Sequence, residues 1–314
     1  MSTAGILKTK PLQPGNTVGL ISPGSAISTE QYKAVIHHLN SLGLKVITGE
    51  HALLEHGHLA GFDQQRLEDL HTMFADPKID AIWCARGGYG CTRLLPLIDF
   101  NLIQNNPKPI IGYSDITALL NAIFQETGLI GFHGPVGISK MTPYTVANLK
   151  ATVFGQENQH TITFPAAAEP PYIIKEGKAQ GRLVGGNLAL LAAMTGTPYQ
   201  PNYKDKLVFI EEIAEKPYQI DRMLTQLLQG TNIKQAAGIL LGTFVKCGKP
   251  SKGSSLSLAD TLQGRLGSLL MPVVYGLPFG HIDDQCTIPV GGLGQLIANQ
   301  QEITLHLLES GTDT

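Results

Sequence analysis

The sequence has no surplus of positive charge. It carries 23 Lys and Arg against 25 Asp and Glu, a formal net charge of −2. Without a basic footprint for a phosphate backbone, no nucleic-acid partner is expected. It also lacks the roughly 18–20 consecutive apolar residues that a bilayer-spanning helix needs, so no membrane partner is expected. Residues 1–8 show no basic stretch followed by an apolar core, and no signal peptide is expected. The four cysteines, Cys84, Cys91, Cys247 and Cys286, form no CxxC pair. That pattern reads as reduced, buried thiols of a cytosolic protein. No GxxxxGK(S/T), no HExxH, no internal repeat and no heptad pattern is found, and tryptophan occurs once, as Trp83.

What is present points to a compact enzyme. Hydrophobic residues make up 43% of the 314 and charged residues only 15%, which suits an α/β fold better than a solvated adaptor. The length allows one large domain or two medium ones.

The first half alternates strand and helix. Buried strands are predicted at 17–21, 45–47, 81–85, 109–112 and 129–132. Ser28 and Gln31 form a capping-box pattern before a helix with Tyr32, Val35, Ile36, Leu39 and Leu42 on one face. A second helix starts at Asp63 and closes at Asp76-Pro77. Strands and helices at this spacing imply a Rossmann-like parallel sheet covered on both faces, with its ligand crevice beyond the carboxyl ends of the strands. The pattern lapses between about 155 and 178, where Ala166-Ala167-Ala168-Glu169-Pro170-Pro171 reads as a linker. The expected division is a first domain over 1–160, a linker over 161–178, and a smaller mixed β/α domain over 179–314. In that second domain strands are predicted at 206–210, 238–244, 273–276 and 303–307, and helices at 187–194, 220–228 and 256–269. Residues 249–255 read as a flexible surface loop.

Chemistry concentrates at the ends of predicted strands. Tyr113-Ser114-Asp115 lies between an apolar strand and a helical pattern. A serine there projects its hydroxyl from the sheet, and the following amides, Asp115 N–H among them, lie unpaired at a helix N-terminus. This is the layout of a nucleophile with half an oxyanion hole, although Gly112-x-Ser114-x-Ile116 lacks the second glycine of the hydrolase elbow. The alternative is an ordinary N-cap. Arg86-Gly87-Gly88-Tyr89-Gly90 follows the third strand and lets backbone approach an anion closely, but it is not GxGxxG. With Ser114 as nucleophile, the Gly88 amide suits the oxyanion.

Of ten histidines, His281 is the candidate base, on the Gly- and Pro-rich turn 277–284, against a solvated-loop alternative; His133 lies near the expected crevice. His281, Asp283, Asp284 and Cys286 match no metal-site spacing, and neither a metal nor a cofactor is expected. Leu207-Val208-Phe209-Ile210 runs into Glu211 and Glu212, with Glu215 beyond. A carboxylate buried there needs a partner such as His281. Strand alternation sends the first two acids to opposite faces, and sequence alone does not choose between them.

Together, Arg86-Gly87-Gly88-Tyr89-Gly90, Gly112-Tyr113-Ser114-Asp115-Ile116, Gly185-Gly186-Asn187-Leu188, Ile210-Glu211-Glu212 with Tyr218 and Asp221-Arg222, and Gly280-His281 resemble the motifs of the LD-carboxypeptidases. This serine peptidase group includes muramoyltetrapeptide carboxypeptidase and the microcin-immunity peptidase. The resemblance covers about residue 15 onward. It implies a Ser114–His281–Glu211 triad, an oxyanion hole from the Gly88 and Asp115 amides, and a second domain that donates the Glu and the His. The family commonly has Glu-Asp and then Gly-Glu where this chain has Glu211-Glu212 and Ala214-Glu215. The implied activity is hydrolysis of the L,D-peptide bond to the terminal D-Ala of cytosolic murein tetrapeptides. Arg86, Tyr89 and Asn187 are candidate substrate contacts, with a structural ion pair and a helix cap as the alternatives for Arg86 and Asn187. The resemblance is compatible with a homodimer. Two other functions are weighed: the same machinery directed at peptide-nucleotide antibiotics, for which a single Trp is poor provision, and a non-catalytic small-ligand binder, which would need neither Ser114 nor His281.

Overall fold

A computed structural model describes residues 5–165, 170–248 and 256–313. The N-terminal four residues, most of the 166–171 run read as linker, and the 249–255 loop lie outside the described residues.

The first sheet contains β1 (Thr17–Ile21), β2 (Lys45–Thr48), β3 (Ala81–Cys84), β4 (Ile110–Gly112) and β5 (Gly131–His133). They pair in parallel in the order β2-β1-β3-β4-β5. Strand periodicity sorts the side chains between two cores. Ile82 and Cys84 pack with Leu70, Met73 and Phe74 of the helix Asp63–Ala75. Ala81 and Trp83 pack with Val35 and Leu39 of the helix Thr29–Ser41 on the other face. Each such large side chain removed from water contributes about 1.5–3 kcal/mol. The predicted capping box is present: Gln31 N–H donates to Ser28 Oγ at 3.2 Å and Ser28 N–H to Gln31 Oε1 at 2.9 Å. Because β1 pairs with β2 on one side and β3 on the other, the turns 22–25 and 86–90 flank the switch point where doubly wound sheets bind ligands.

The second sheet is built from β6 (His160–Ile162), β7 (Tyr172–Lys175), β8 (Gly177–Asn187), β9 (Lys206–Ile213), β10 (Gly238–Val245) and β11 (Val273–Tyr275). The chain then crosses back: β12 (Ile288–Val290) pairs antiparallel with β5 at the edge of the first sheet. β13 (Leu293–Asn299) and β14 (Glu302–Leu307) complete the second, whose order is β6-β14-β13-β8-β9-β10-β11-β7. The segment 161–178 thus supplies most of β6 and all of β7, the two edges of this sheet. These strands are only three and four residues long and partly exposed, as edges commonly are. The strand expected at 206–210 runs on to Ile213, because β10 pairs Phe244 with Glu212 and Val245 with Ile213.

The helix Thr117–Thr127 joins the two halves. Its residues 117–123 are all buried, since it lies between the sheets rather than on a surface. Asn121 Nδ2 donates to Gly185 O at 2.8 Å, and Gly185 N–H returns to Asn121 Oδ1 at 3.1 Å. Asn187 N–H donates to Thr117 Oγ1 at 2.9 Å. A Cβ on Gly186 would come within 2.3 Å of Thr117 Oγ1, so only glycine permits this approach. Gly186 and Asn187 pair in register with Ile210 and Glu211 of β9. The helix that begins beside Ser114 is therefore fastened to the strand next to Glu211. Among the described residues no helix is long and apolar enough to cross a membrane.

Candidate active site

Ser114 follows β4 and opens a 3₁₀ turn, Ser114–Ile116, that leads into the helix Thr117–Thr127. Its φ is +65°, a conformation uncommon for a non-glycine residue and characteristic of a nucleophile held on a sharp strand-to-helix elbow. Asp115 does not cap this helix. Its side chain is buried, and Oδ2 accepts Cys91 N–H at 2.8 Å, tying the elbow to the glycine-rich turn. Burial raises the Asp115 carboxyl above the usual range, while the Cys91 and Gly90 donors and Arg66 act the other way. Gly87 lies against the elbow: a Cβ there would be 2.9 Å from Ser114 Cβ and 3.1 Å from Asp115 N. The Gly88 and Asp115 amides make no backbone hydrogen bond among the described residues.

His281 reaches this elbow from the second half of the chain. Its loop is fastened to β10, whose register shifts between Leu241 and Phe244. Thr243 N–H donates to Phe279 O at 3.1 Å, Leu277 N–H to Leu241 O at 3.1 Å, and Cys286 N–H to Pro278 O at 2.7 Å. Gly280, at φ +113°, leaves room for Glu211: a Cβ would be 3.0 Å from Glu211 Oε2. His281 Nε2 is 3.1 Å from Ser114 Oγ, and His281 Nδ1 is 2.8 Å from Glu211 Oε2. Glu211 is fully buried, whereas the His281 side chain keeps 16% exposure at the crevice. An imidazole in this position can accept the hydroxyl proton at Nε2 while its Nδ1–H is held by a carboxylate, which is what an activated serine requires.

The neighbours keep this chain of contacts free of competing charge. Tyr113 and His281 meet edge to face, with ring centroids 4.9 Å apart. His133 lies behind them against Tyr113, Phe209 and Phe279, and burial pulls its imidazole down to about 4. A neutral His133 does not oppose an imidazolium forming on His281.

The chain matches the LD-carboxypeptidase N-terminal domain over residues 18–134 and the LD-carboxypeptidase C-terminal domain over residues 180–296. It is 43% identical over 289 residues to the probable murein peptide carboxypeptidase of Bacillus subtilis, covering 90% of this chain and 89% of that protein. It is 33% identical to the murein tetrapeptide carboxypeptidase of Pseudomonas aeruginosa, covering 90% and 94% of the two chains. The crystal structure of an MccF-like protein from Bacillus anthracis superimposes with a TM-score of 0.86 at 29% identity, covering 96% of this chain and 99% of that one. The chain belongs to the LD-carboxypeptidase family.

The other candidate residues separate by what they touch. Glu212 points away from His281: Oε1 accepts Asn187 Nδ2–H at 2.9 Å and Ile213 N–H at 2.8 Å, and Oε2 accepts Ala189 N–H at 2.8 Å. Burial lifts its carboxyl to about 7 despite these donors. Asn187 is the helix cap, 4% exposed, with Oδ1 accepting Leu190 N–H at 3.3 Å. Its side chain is spent on the cap and Glu212, which leaves it poorly placed as a substrate contact. Glu215 lies beyond the strand, past the turn at Ala214 (φ +61°). Arg86 is half-buried and donates from Nη1 to Ala26 O at 3.1 Å; among the described residues no carboxylate pairs with it. Tyr89 is exposed, with its ring 5.5 Å from His58. Asp283 pairs with Lys140 at 2.5 Å, and Cys286 is buried.

Two residues next to this site carried no motif. Ser25 receives Tyr89 N–H on its hydroxyl at 3.2 Å, and Arg66 is buried. The only hint of Arg66 in the sequence is a charge next to the inward positions of an amphipathic helix.

Proposed function

We propose that the protein is a serine LD-carboxypeptidase that hydrolyses the L,D-peptide bond to the terminal D-Ala of murein tetrapeptides. The observation that carries this reading is the continuous path Ser114 Oγ–His281–Glu211, with contacts of 3.1 and 2.8 Å, in a member of this family. Ser114 Oγ attacks the carbonyl of the L-configured centre, and His281 Nε2 takes the hydroxyl proton. Glu211 holds the Nδ1–H tautomer and stabilises the imidazolium. The Gly88 and Asp115 amides receive the charge that develops on the carbonyl oxygen. His281 then protonates the departing D-Ala amine, and water, activated by the same imidazole, releases the acyl group from Ser114. Arg86, a cation at the start of the glycine-rich turn with no carboxylate partner among the described residues, is suited to the terminal carboxylate that an exopeptidase must read. Tyr89 lies within the same turn.

Buried, unpaired thiols at all four cysteines are in keeping with action in the reducing cytoplasm on recycled wall peptides. A cytoplasmic homodimer is the working assembly for this reading. The antibiotic-immunity alternative is less well supplied. Trp83 is fully buried with its indole N–H on Pro135 O at 2.9 Å, so it offers no face for a nucleobase.

The test uses L-Ala-γ-D-Glu-meso-diaminopimelate-D-Ala and the same peptide ending in L-Ala. Release of alanine from the first alone, abolished in folded Ser114→Ala, is the expected result. Equal cleavage of both peptides would refute the stereochemical claim.

A further inference from the structure

Arg66 is the most deeply enclosed cationic side chain near the site. It is 1% exposed, on the helix Asp63–Ala75. Its Nη1 donates to Pro23 O and to Gly90 O, the latter at 3.1 Å, and its Nη2 donates to Asp63 Oδ1. Pro23 belongs to the turn after β1 and Gly90 to the turn after β3, so one guanidinium spans the two turns that flank the switch point. The same turns meet again where Ser25 N–H donates to Gly87 O at 2.9 Å. From Gly90 the connection continues through Cys91 N–H to the Asp115 carboxylate at 2.8 Å, and Asp115 is the residue after Ser114. Asp63 is held from outside by Arg93, whose Nε and Nη2 donate to it at 2.9 and 2.7 Å. A Cβ on Gly90 would come within 2.7 Å of Arg66 Nη1, so the guanidinium occupies space that only glycine leaves open.

Enclosing a guanidinium is costly, and an aliphatic side chain of similar volume would fill this space without that cost. What the guanidinium adds is direction. It bonds two backbone carbonyls whose peptide planes orient the amides of the same turns.

We propose that Arg66 is a positioning residue of the reaction, fixing the glycine-rich turn so that Gly88 N–H and Asp115 N–H converge on the oxyanion. It touches neither substrate nor Ser114. The inference rests on the serine-peptidase reading above. A turn freed from its clamp displaces the amides by a fraction of an ångström to about an ångström, a misplacement that costs on the order of 10²-fold in rate.

The experiment compares wild type, Arg66→Ala and Ser114→Ala by D-Ala release and by the rate of Ser114 labelling with a fluorophosphonate, whose phosphoryl oxygen occupies the oxyanion site. Arg66→Ala is expected to lower kcat and the labelling rate together by about 10²-fold with KM changed by less than about threefold, the pattern of an interaction made only in the transition state. Added guanidinium ion at tens of millimolar is expected to restore at least about tenfold of both rates, and methylammonium to restore neither, because only the planar fork bonds the two carbonyls through one nitrogen and the Asp63 carboxylate through the other. Purely structural damage would not be rescued by a small cation. If Arg66→Ala melts below the assay temperature, Gly90→Ala tests the same contact with the charge retained, by crowding Nη1, and is expected to slow labelling at least tenfold. Folded Arg66→Ala within threefold of wild type, no response to guanidinium, or unchanged labelling in Gly90→Ala overturns the proposal. A wild-type protein that labels but releases no D-Ala would instead refute the substrate reading alone, since labelling reports on the oxyanion site directly.

Discussion

Replacing Glu211 by Gln separates two neighbouring acids that differ in what they face. Glu211 is fully buried with Oε2 2.8 Å from His281 Nδ1. A glutamine can present either end of its amide to that nitrogen. If the NH₂ faces Nδ1, the imidazole carries its proton on Nε2 and cannot accept one from Ser114. If the oxygen faces Nδ1–H, the tautomer survives but the carboxylate charge is lost, and at 2.8 Å with an effective dielectric of about 20 the attraction to an imidazolium is about 6 kcal/mol. Both orientations place the loss of kcat near 10³–10⁴, about 4–5.5 kcal/mol, with KM nearly constant. Glu212→Gln is the matched control. Its carboxylate accepts from Asn187, Ile213 and Ala189 rather than from His281, so an amide there opposes at least one N–H group. The expected effect is a stability loss of about 1–3 kcal/mol with kcat within a few-fold. The assay is D-Ala release coupled to a D-amino-acid oxidase at pH 7.5, with urea unfolding of both variants. Retention of a tenth of wild-type kcat in Glu211→Gln, or collapse of kcat in stable Glu212→Gln, would refute this assignment.

Two further outcomes follow from the packing. Gly280→Ala is expected to lower kcat by about 10²-fold with little change in KM, because its Cβ would lie 3.0 Å from Glu211 Oε2 in a backbone at φ +113° that alanine resists; kcat within threefold of wild type would contradict this. His133 is enclosed and its imidazole is pulled down to about 4 from the ordinary 6.5. Below about pH 6.5 the unfolded chain binds a proton there that the folded chain refuses, so the stability tied to His133 is complete above that pH and is lost as pH falls toward 4. The loss is about 2–3 kcal/mol between pH 6.5 and 4.5. Glu212, raised to about 7, acts in the opposite sense, losing stability as pH rises from its ordinary value, and is common to both proteins compared. Urea unfolding at pH 7.5 and 4.5 should therefore show a smaller acid loss in His133→Phe than in wild type, and identical losses would contradict it.

Much of the site was legible because it is written in local signals. The apolar run before Gly112 and the helical periodicity after Ile116 leave Ser114 on a strand-to-helix turn whatever the rest of the chain does. The Arg86–Gly90 turn and the Gly- and Pro-rich loop of His281 are likewise local punctuation. Strands at the sheet edges were not legible. β7 offers only the short run Tyr172-Ile173-Ile174 and the first half of β8 alternates exposed and half-buried positions with no apolar run, so their pairing comes from neighbours distant in sequence.

The amino-acid order by itself determined the alternating elements, the turn that carries Ser114 and the opposite facing of Glu211 and Glu212, because backbone sterics and a period of two act over a few residues. Only the tertiary structure decided which acid meets His281, that Asn187 caps a helix, and that Arg66 lies under two turns. The cap is a contact three residues long that the sequence left open beside a substrate role, whereas the other two depend on distances between segments tens of residues apart, set by how the helix Thr117–Thr127 packs between the sheets and how the 277–281 loop bonds to β10.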